Sequence, residues 1–100
     1  MIEGVSQAVL DIVAERLRQQ EVEGWNTAHD DGHHTGILAD AAACYAANAG
    51  GCVWAAPVPA FWPREAEDWK PSTPRRDLVK AGALILAEIE RLDRLEQREK

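Results

Sequence analysis

Between Ala81 and Ala87 the chain reads Ala-Gly-Ala-Leu-Ile-Leu-Ala, apolar all round, inside a segment with charged residues on both flanks. A helix of that kind needs a partner for each of its faces. With 100 residues and 46% hydrophobic content, the chain has room for one domain and one modest core. Two further helices of ordinary length cannot surround the segment. An outer face holding Leu84 and Leu86 is therefore expected to meet water unless a second copy covers it, with the small Ala81, Gly82 and Ala83 permitting close contact. A homodimer or larger homo-oligomer is the expectation.

Capping and periodicity predict three helices in a single all-α domain over residues 1–100. Ser6 is placed to cap a first helix, about 7–22, in which Val9, Ile12, Val13 and Leu17 share one face and Gly24 is the stop. Thr35 can cap a second, about 36–49, with a small-residue stripe of Leu38, Ala41, Ala42, Tyr45 and Ala49 ended by Gly50-Gly51. Thr73-Pro74 opens a third, about 74–97, through Leu78, Ala81, Ile85, Ile89, Leu92 and Leu95. Between the last two runs the connection Gly51 to Thr73, which carries Trp54, Trp62 and Trp69 and has all five prolines in or just after it. Loops beyond about 12–15 residues tend to be functional when they are ordered, and aromatic content argues for order. The expected architecture is a small helical bundle with a long Trp/Pro-rich loop, completed by oligomerisation.

No run of about 18 apolar residues is present, and Glu3 stands where a secretory signal would be basic, so a soluble intracellular chain is expected. Cys44 and Cys52 fit neither a disulfide framework nor a CxxC knuckle and are read as free thiols. The formal net charge of −6 argues against duplex nucleic acid and an anionic membrane as partners. That charge is uneven. Residues 1–35 hold seven acids against Arg16 and Arg18, whereas residues 75–100 hold six acids against seven bases. The acidic first third can pair with the last third or collect a divalent metal.

All three histidines lie in one polar hinge, Gly24 to His34, together with Asp30 and Asp31. Such a cluster suits Mg²⁺, Mn²⁺ or Zn²⁺; an Asx turn around Gly32 with solvated His33 and His34 is the plainer alternative. Glu15 and Glu88 both fall near the apolar side of their helices and need partners, either an arginine such as Arg18 or Arg91, or a metal shared with Asp30, Asp31 or Asp40. Arg75 and Arg76 sit at the start of the third helix, where the macrodipole disfavours cations but free N–H groups welcome an anion. With Lys70 and Lys80 they form either a phosphate site or ion pairs to the acidic first helix. Trp62 and Trp69 can stack on a base or close a small core as a lid.

Several ordered blocks carry a resemblance: Glu15-Arg16-Leu17-Arg18-Gln19, Glu23-Gly24-Trp25, His29-Asp30-Asp31-Gly32-His33, Leu38 to Ala46, Trp62-Pro63, Trp69-Lys70-Pro71 and Arg75 to Arg94. Over most of the chain the succession resembles the phage and prophage dATP/dGTP pyrophosphohydrolases, related in type to the MazG-like all-α nucleoside triphosphate pyrophosphatases. The resemblance implies a helical, oligomeric, Mg²⁺-dependent enzyme (Mn²⁺ as substitute) of the bacterial host cytoplasm. Its reaction would convert a purine dNTP to dNMP and pyrophosphate. It implies Glu15, Asp30, Asp31, Asp40 and Glu88 as metal candidates and Glu15, Asp31 and His33 as catalytic ones. Lys70, Arg76 and Lys80 would then face phosphate, and Trp25 or Trp69 the base. The chain departs from the family at Gly36-Ile37-Leu38, where a glutamate is usual and Asp40 stands one turn on, and it lacks paired ExxE and ExxD motifs. Two other readings stay open: a non-catalytic nucleotide-binding protein, such as a sponge for a defence signal, and a helical adaptor whose third helix serves assembly alone.

Overall fold

In the computed structural model, which describes residues 4–22 and 36–99, the regular structure is entirely helical. Helix α1 spans Gln7–Glu21, α2 spans Ile37–Ala49 and α3 spans Pro74–Glu99, with one 3₁₀ turn at Ala66–Asp68. The all-α class expected from the periodicity is the one observed. Among the described residues no helix is long and apolar enough to cross a membrane.

The helix ends follow from local chemistry. Ser6 is extended and its Oγ accepts from the Val9 N–H at 3.3 Å, satisfying one orphan donor of α1. Gly36 occupies the N-cap of α2 without a side-chain bond, while Thr35 and Gly24 lie outside the described residues. At the other end of α2, Gly51 turns the chain with φ +90°, a conformation that a side chain disfavours, and Cys52 N–H closes back on Ala47 O at 3.0 Å. Pro74 begins α3, and Thr73 caps it twice: its Oγ1 accepts from Arg76 N–H at 3.2 Å and its carbonyl from Asp77 N–H at 2.8 Å.

Helix α3 is the central element, and α1 and α2 each pack against it. The core lies between α2 and α3, where Leu38, Ala41, Ala42, Cys44 and Tyr45 meet Ala81, Leu84 and Ala87. Alanines on both helices let the backbones approach, so the few large side chains fill what space remains. Full burial of Leu38 and Leu84 stabilises the pair of helices by about 1.5–3 kcal/mol each. Burial pushes the Cys44 thiol up to about 11, with Asp40 adding to the effect, so it packs as a small hydrophobe; Cys52 is exposed, and both cysteines are free.

The long connection is a lid over this core. Trp62 is buried, stands edge-on to Tyr45 with centroids 5.6 Å apart, and donates its indole N–H to Glu65 O at 2.9 Å. Trp69 lies 4.8 Å from Tyr45 and 5.0 Å from Trp62. Trp54 donates to Asn48 Oδ1 at 3.0 Å, and Asn48 in turn donates to Asp77 Oδ2 at 2.9 Å. Asp77 is fully buried, and its Oδ1 accepts the Ser72 N–H at 2.7 Å. One carboxylate thus ties the end of the loop, the end of α2 and the start of α3 together.

Two expectations about faces are corrected. On α1 the stripe that the periodicity marks as inward is turned out: Val9 is 49%, Val13 45% and Leu17 51% exposed, while Glu15, Arg16 and Gln19 are buried. Ion pairing decides the rotation, because Arg16 reaches Glu90 at 3.1 Å and Glu15 reaches Arg76, both on α3. On α3, Leu84 is not the residue left in water. It is fully buried and Leu86 half-buried, while the outward stripe is Leu78, Ile85, Ile89 and Leu92. At the crossing, Ile12 fills the space over Gly82, where a Cβ would meet Ile12 Cδ1 at 2.9 Å. The two outward stripes join there into one apolar groove of about 380 Å³, lined by Val9, Ile12, Val13, Gly82, Ile85, Leu86 and Ile89.

Leu84→Ala is expected to lower the unfolding free energy by about 2–5 kcal/mol, read from urea denaturation followed by circular dichroism. A loss below 1 kcal/mol would place the core on another face of α3.

Candidate functional site

A cleft of about 330 Å³ opens where the three helices and the end of the lid meet, lined by Glu15, Arg18 and Gln19 of α1, Tyr45 of α2, Lys70 and Ser72 of the loop, and Arg76 and Lys80 of α3. Four cations and one carboxylate line it, in a chain whose net charge is −6. Concentrated positive charge in a concave, partly desolvated wall attracts anions over cations.

Glu15 is the hub. Arg18, one turn along α1, grips both of its oxygens in a fork, Nε to Oε1 and a terminal nitrogen to Oε2, each at 2.8 Å. Arg76 comes from the first turn of α3 to the same Oε1, and Gln19 donates its Nε2 to Oε2 at 3.2 Å. Burial pushes the Glu15 carboxyl up, but the hydrogen bonds and charges of Arg18 and Arg76 outweigh it and hold the group below its ordinary value. The Arg18 and Arg76 side chains stay more than one-third exposed, at 37% and 39%. The carboxylate therefore fixes the planes of both guanidiniums at the cleft wall.

Lys80 completes the cationic wall. Its ammonium donates to the Lys70 carbonyl and stands 5.3 Å from the centre of the Tyr45 ring. Burial pulls its pKa down and Arg76 adds to that, against the opposing pull of Asp77 and Glu15. The Tyr45 hydroxyl accepts from Lys70 N–H at 3.1 Å, which seats the loop on the aromatic cluster. Beside the cleft, Arg75 pairs with Asp11 at 2.9 Å. The ion pairs expected between the acidic first helix and the start of the third are thus formed within one chain.

Of the residues singled out in the sequence, Glu15, Lys70, Arg76 and Lys80 come together here, with Trp69 packed behind Tyr45. Trp25, Asp30, Asp31 and His33 lie outside the described residues. Asp40 is exposed on α2. Glu88 is buried and bonded to Arg91 at 2.6 Å, twelve residues past Arg76 and so about 18 Å along the helix axis. It does not face the cleft. Among the described residues no three acids, histidines or cysteines converge as metal ligands, and Glu15 and Glu88 are each committed to arginine. A divalent ion held by these residues alone does not fit. Sequence reasoning missed Arg18, Gln19, Tyr45 and Ser72 as cleft residues and Asp77 as the loop anchor. One usable signal was Tyr45, a large polar-tipped ring in an otherwise alanine-rich helix.

Comparison with family models, with curated proteins and with solved structures finds no match to this chain. The cleft is read from its own chemistry.

Replacing Glu15 by Gln leaves two part-exposed arginines without their counter-ion and weakens the charge-assisted hydrogen bonds, an expected loss of about 1.5–3 kcal/mol of stability at pH 7. Because its folded pKa is depressed, the stability that Glu15 lends is whole above its unfolded value of about 4.3 and disappears as pH falls through the folded one. Urea titrations of both proteins from pH 7 to pH 2.5 should therefore converge on the acid side. A gap that persists to the lowest pH would show that Glu15 acts there by shape rather than charge.

Proposed function

We propose that the cleft binds the triphosphate of a purine deoxynucleotide and that the chain is a nucleoside triphosphate pyrophosphohydrolase, releasing pyrophosphate and a deoxynucleoside monophosphate. The observation that carries this reading is the convergence of Arg18, Arg76, Lys80 and Lys70 on one cavity of an acidic chain. A triphosphate carries several negative charges close together, and few other small ligands need so much fixed positive charge. Arg18 and Arg76, held in plane by Glu15, serve as forks for phosphate oxygens, and Lys80 serves as a point charge between them. Tyr45 forms the aromatic part of the wall, with Trp69 packed behind it, and the base of the nucleotide is proposed to lie on that side.

The reading takes Mg²⁺, or Mn²⁺, from the family resemblance; bound, such an ion would neutralise phosphate charge and lower the pKa of a water. Asp30, Asp31 and His33 are the residues proposed to supply what Glu15 does not. A second reading, nucleotide binding without turnover, is favoured by one observation: both Glu15 oxygens already carry hydrogen bonds from Arg18, Arg76 and Gln19.

Assembly as a homo-oligomer belongs to the same proposal. Eight aliphatic side chains from Val9 to Leu92 are each more than one-third exposed on α1 and α3, more apolar surface than a solitary chain of this size usually leaves in one region. Six of the side chains of α1 and α3 meet in one apolar groove, in which Val9, Val13, Ile85 and Ile89 stay exposed.

Incubation with each dNTP and Mg²⁺, followed by chromatography, is expected to yield dNMP plus pyrophosphate for the purine nucleotides. Arg76→Met should cut turnover by about 100-fold or more, since a transition-state phosphate contact is worth about 2.7–4 kcal/mol. No product from any dNTP, together with tight binding of the intact nucleotide, would select the second reading. Ile85→Glu on the apolar groove should convert the oligomer to a monomer of unchanged helical content by light scattering and circular dichroism. A wild-type protein already monomeric at micromolar concentration would remove the assembly proposal.

A further inference from the structure

The cleft wall contains one polar atom that the fold leaves unsatisfied. Gln19 is 1% exposed, and its Oε1 is buried with no hydrogen-bond partner among the described residues. Its amide orientation is not arbitrary. Glu15, as a carboxylate, only accepts, so the Gln19 nitrogen faces it and the oxygen is the group left over. The cleft is rich in donors, yet the structure turns them elsewhere: Arg18 and Arg76 onto Glu15, and Lys80 onto the Lys70 carbonyl. A buried acceptor beside a cavity, surrounded by donors committed to other groups, calls for a donor that none of these side chains supplies.

We propose that Gln19 is the group that accepts a hydrogen bond from the sugar hydroxyl of the bound nucleotide, and so selects a nucleotide over a bare polyphosphate. This rests on the reading of the cleft as a triphosphate site. The placement follows from what Gln19 and the arginines share. All three side chains bond the one carboxylate of Glu15, so the unpaired oxygen lies a few ångströms from the guanidiniums that take phosphate. The donor nearest to a 5′-phosphate in a deoxynucleotide is the 3′-hydroxyl of its pentose. The exocyclic amines of the base lie further off, beyond the sugar. Access runs through the wall that Gln19 shares with the half-buried side chains of Arg18 and Lys80, both long and able to give way when a phosphate draws them forward.

The test compares three ligands on the same protein: dATP, 2′,3′-dideoxyATP and inorganic tripolyphosphate, by ligand-induced thermal shift and by calorimetry, with Mg²⁺ and again with EDTA. The wild-type protein is expected to bind dATP about tenfold more tightly than the dideoxy analogue, the worth of one added hydrogen bond. In Gln19→Leu that ratio should fall to about one while tripolyphosphate binds as before. Should Gln19→Leu fail to fold, the dATP to dideoxyATP ratio on the wild-type protein decides alone. Binding of tripolyphosphate with equal affinity for the two nucleotides overturns the role of Gln19 and leaves the phosphate site standing. Failure of all three ligands to bind overturns the triphosphate reading itself, and this inference with it. A Gln19→Leu effect that follows the base, comparing dATP with dTTP, and ignores the sugar hydroxyl places the contact on the base and also overturns the assignment.

Discussion

The buried carboxylate of Glu15 determines how the rest of the molecule is arranged. An ionised group at 2% exposure is tolerated only when its oxygens are matched by charge and hydrogen bonds. Arg18 supplies the match from the same helix and Arg76 from α3, so α1 can sit on α3 in only one rotation. Arg16 with Glu90 and Asp11 with Arg75 lie on either side and repeat the instruction. The consequence is a rotated helix: α1 presents charge and amide to the neighbour and keeps only Ile12 of its aliphatic stripe on Gly82, with Val9, Val13 and Leu17 left exposed beside the seam.

A second constraint acts from the lid. A connection of this length carries a large backbone-entropy cost, and here it is offset by rings rather than by regular structure. Tyr45 is where the two constraints meet. Its ring packs against Trp62 and Trp69, its hydroxyl holds the Lys70 N–H, and its face looks toward Lys80. The same residue is core for the lid and wall for the cleft, so the site is built on the most tightly packed part of the fold. That placement gives the cationic side chains a rigid base, which is what recognition of a multiply charged ligand needs.

Much of the fold was legible in the sequence because its signals are local. Ser6, Thr73-Pro74 and Gly50-Gly51 act through the backbone within a turn of themselves, and each marks a helix end that the structure reproduces. Helix faces were harder. Periodicity identifies an apolar stripe without saying which neighbour it meets, and on α1 the 74-residue separation between Arg16 and Glu90 outweighs the local pattern. On α3 the buried side holds Ala81, Ala83 and Ala87 with Val79 and Leu84, while Leu78, Ile85, Ile89 and Leu92 face outward, so hydrophobic bulk did not mark the inner side. In the site, Glu15, Lys70, Arg76 and Lys80 were visible as charges out of place; Gln19 was not, since an amide on a helix carries no signal until its surroundings are known.

The aromatic cluster has one more consequence. Trp54, Trp62 and Trp69 account for three of the four indoles of the chain, and all three sit within one network of rings around Tyr45. Tyr45 is also a wall of the cleft, 5.3 Å from the Lys80 ammonium. Charge arriving at that ammonium changes the field across the ring stack, and indole emission is sensitive to such fields. Three of the four indoles thus share one ring stack with the wall of the cavity, so their emission is the natural optical probe of what enters it.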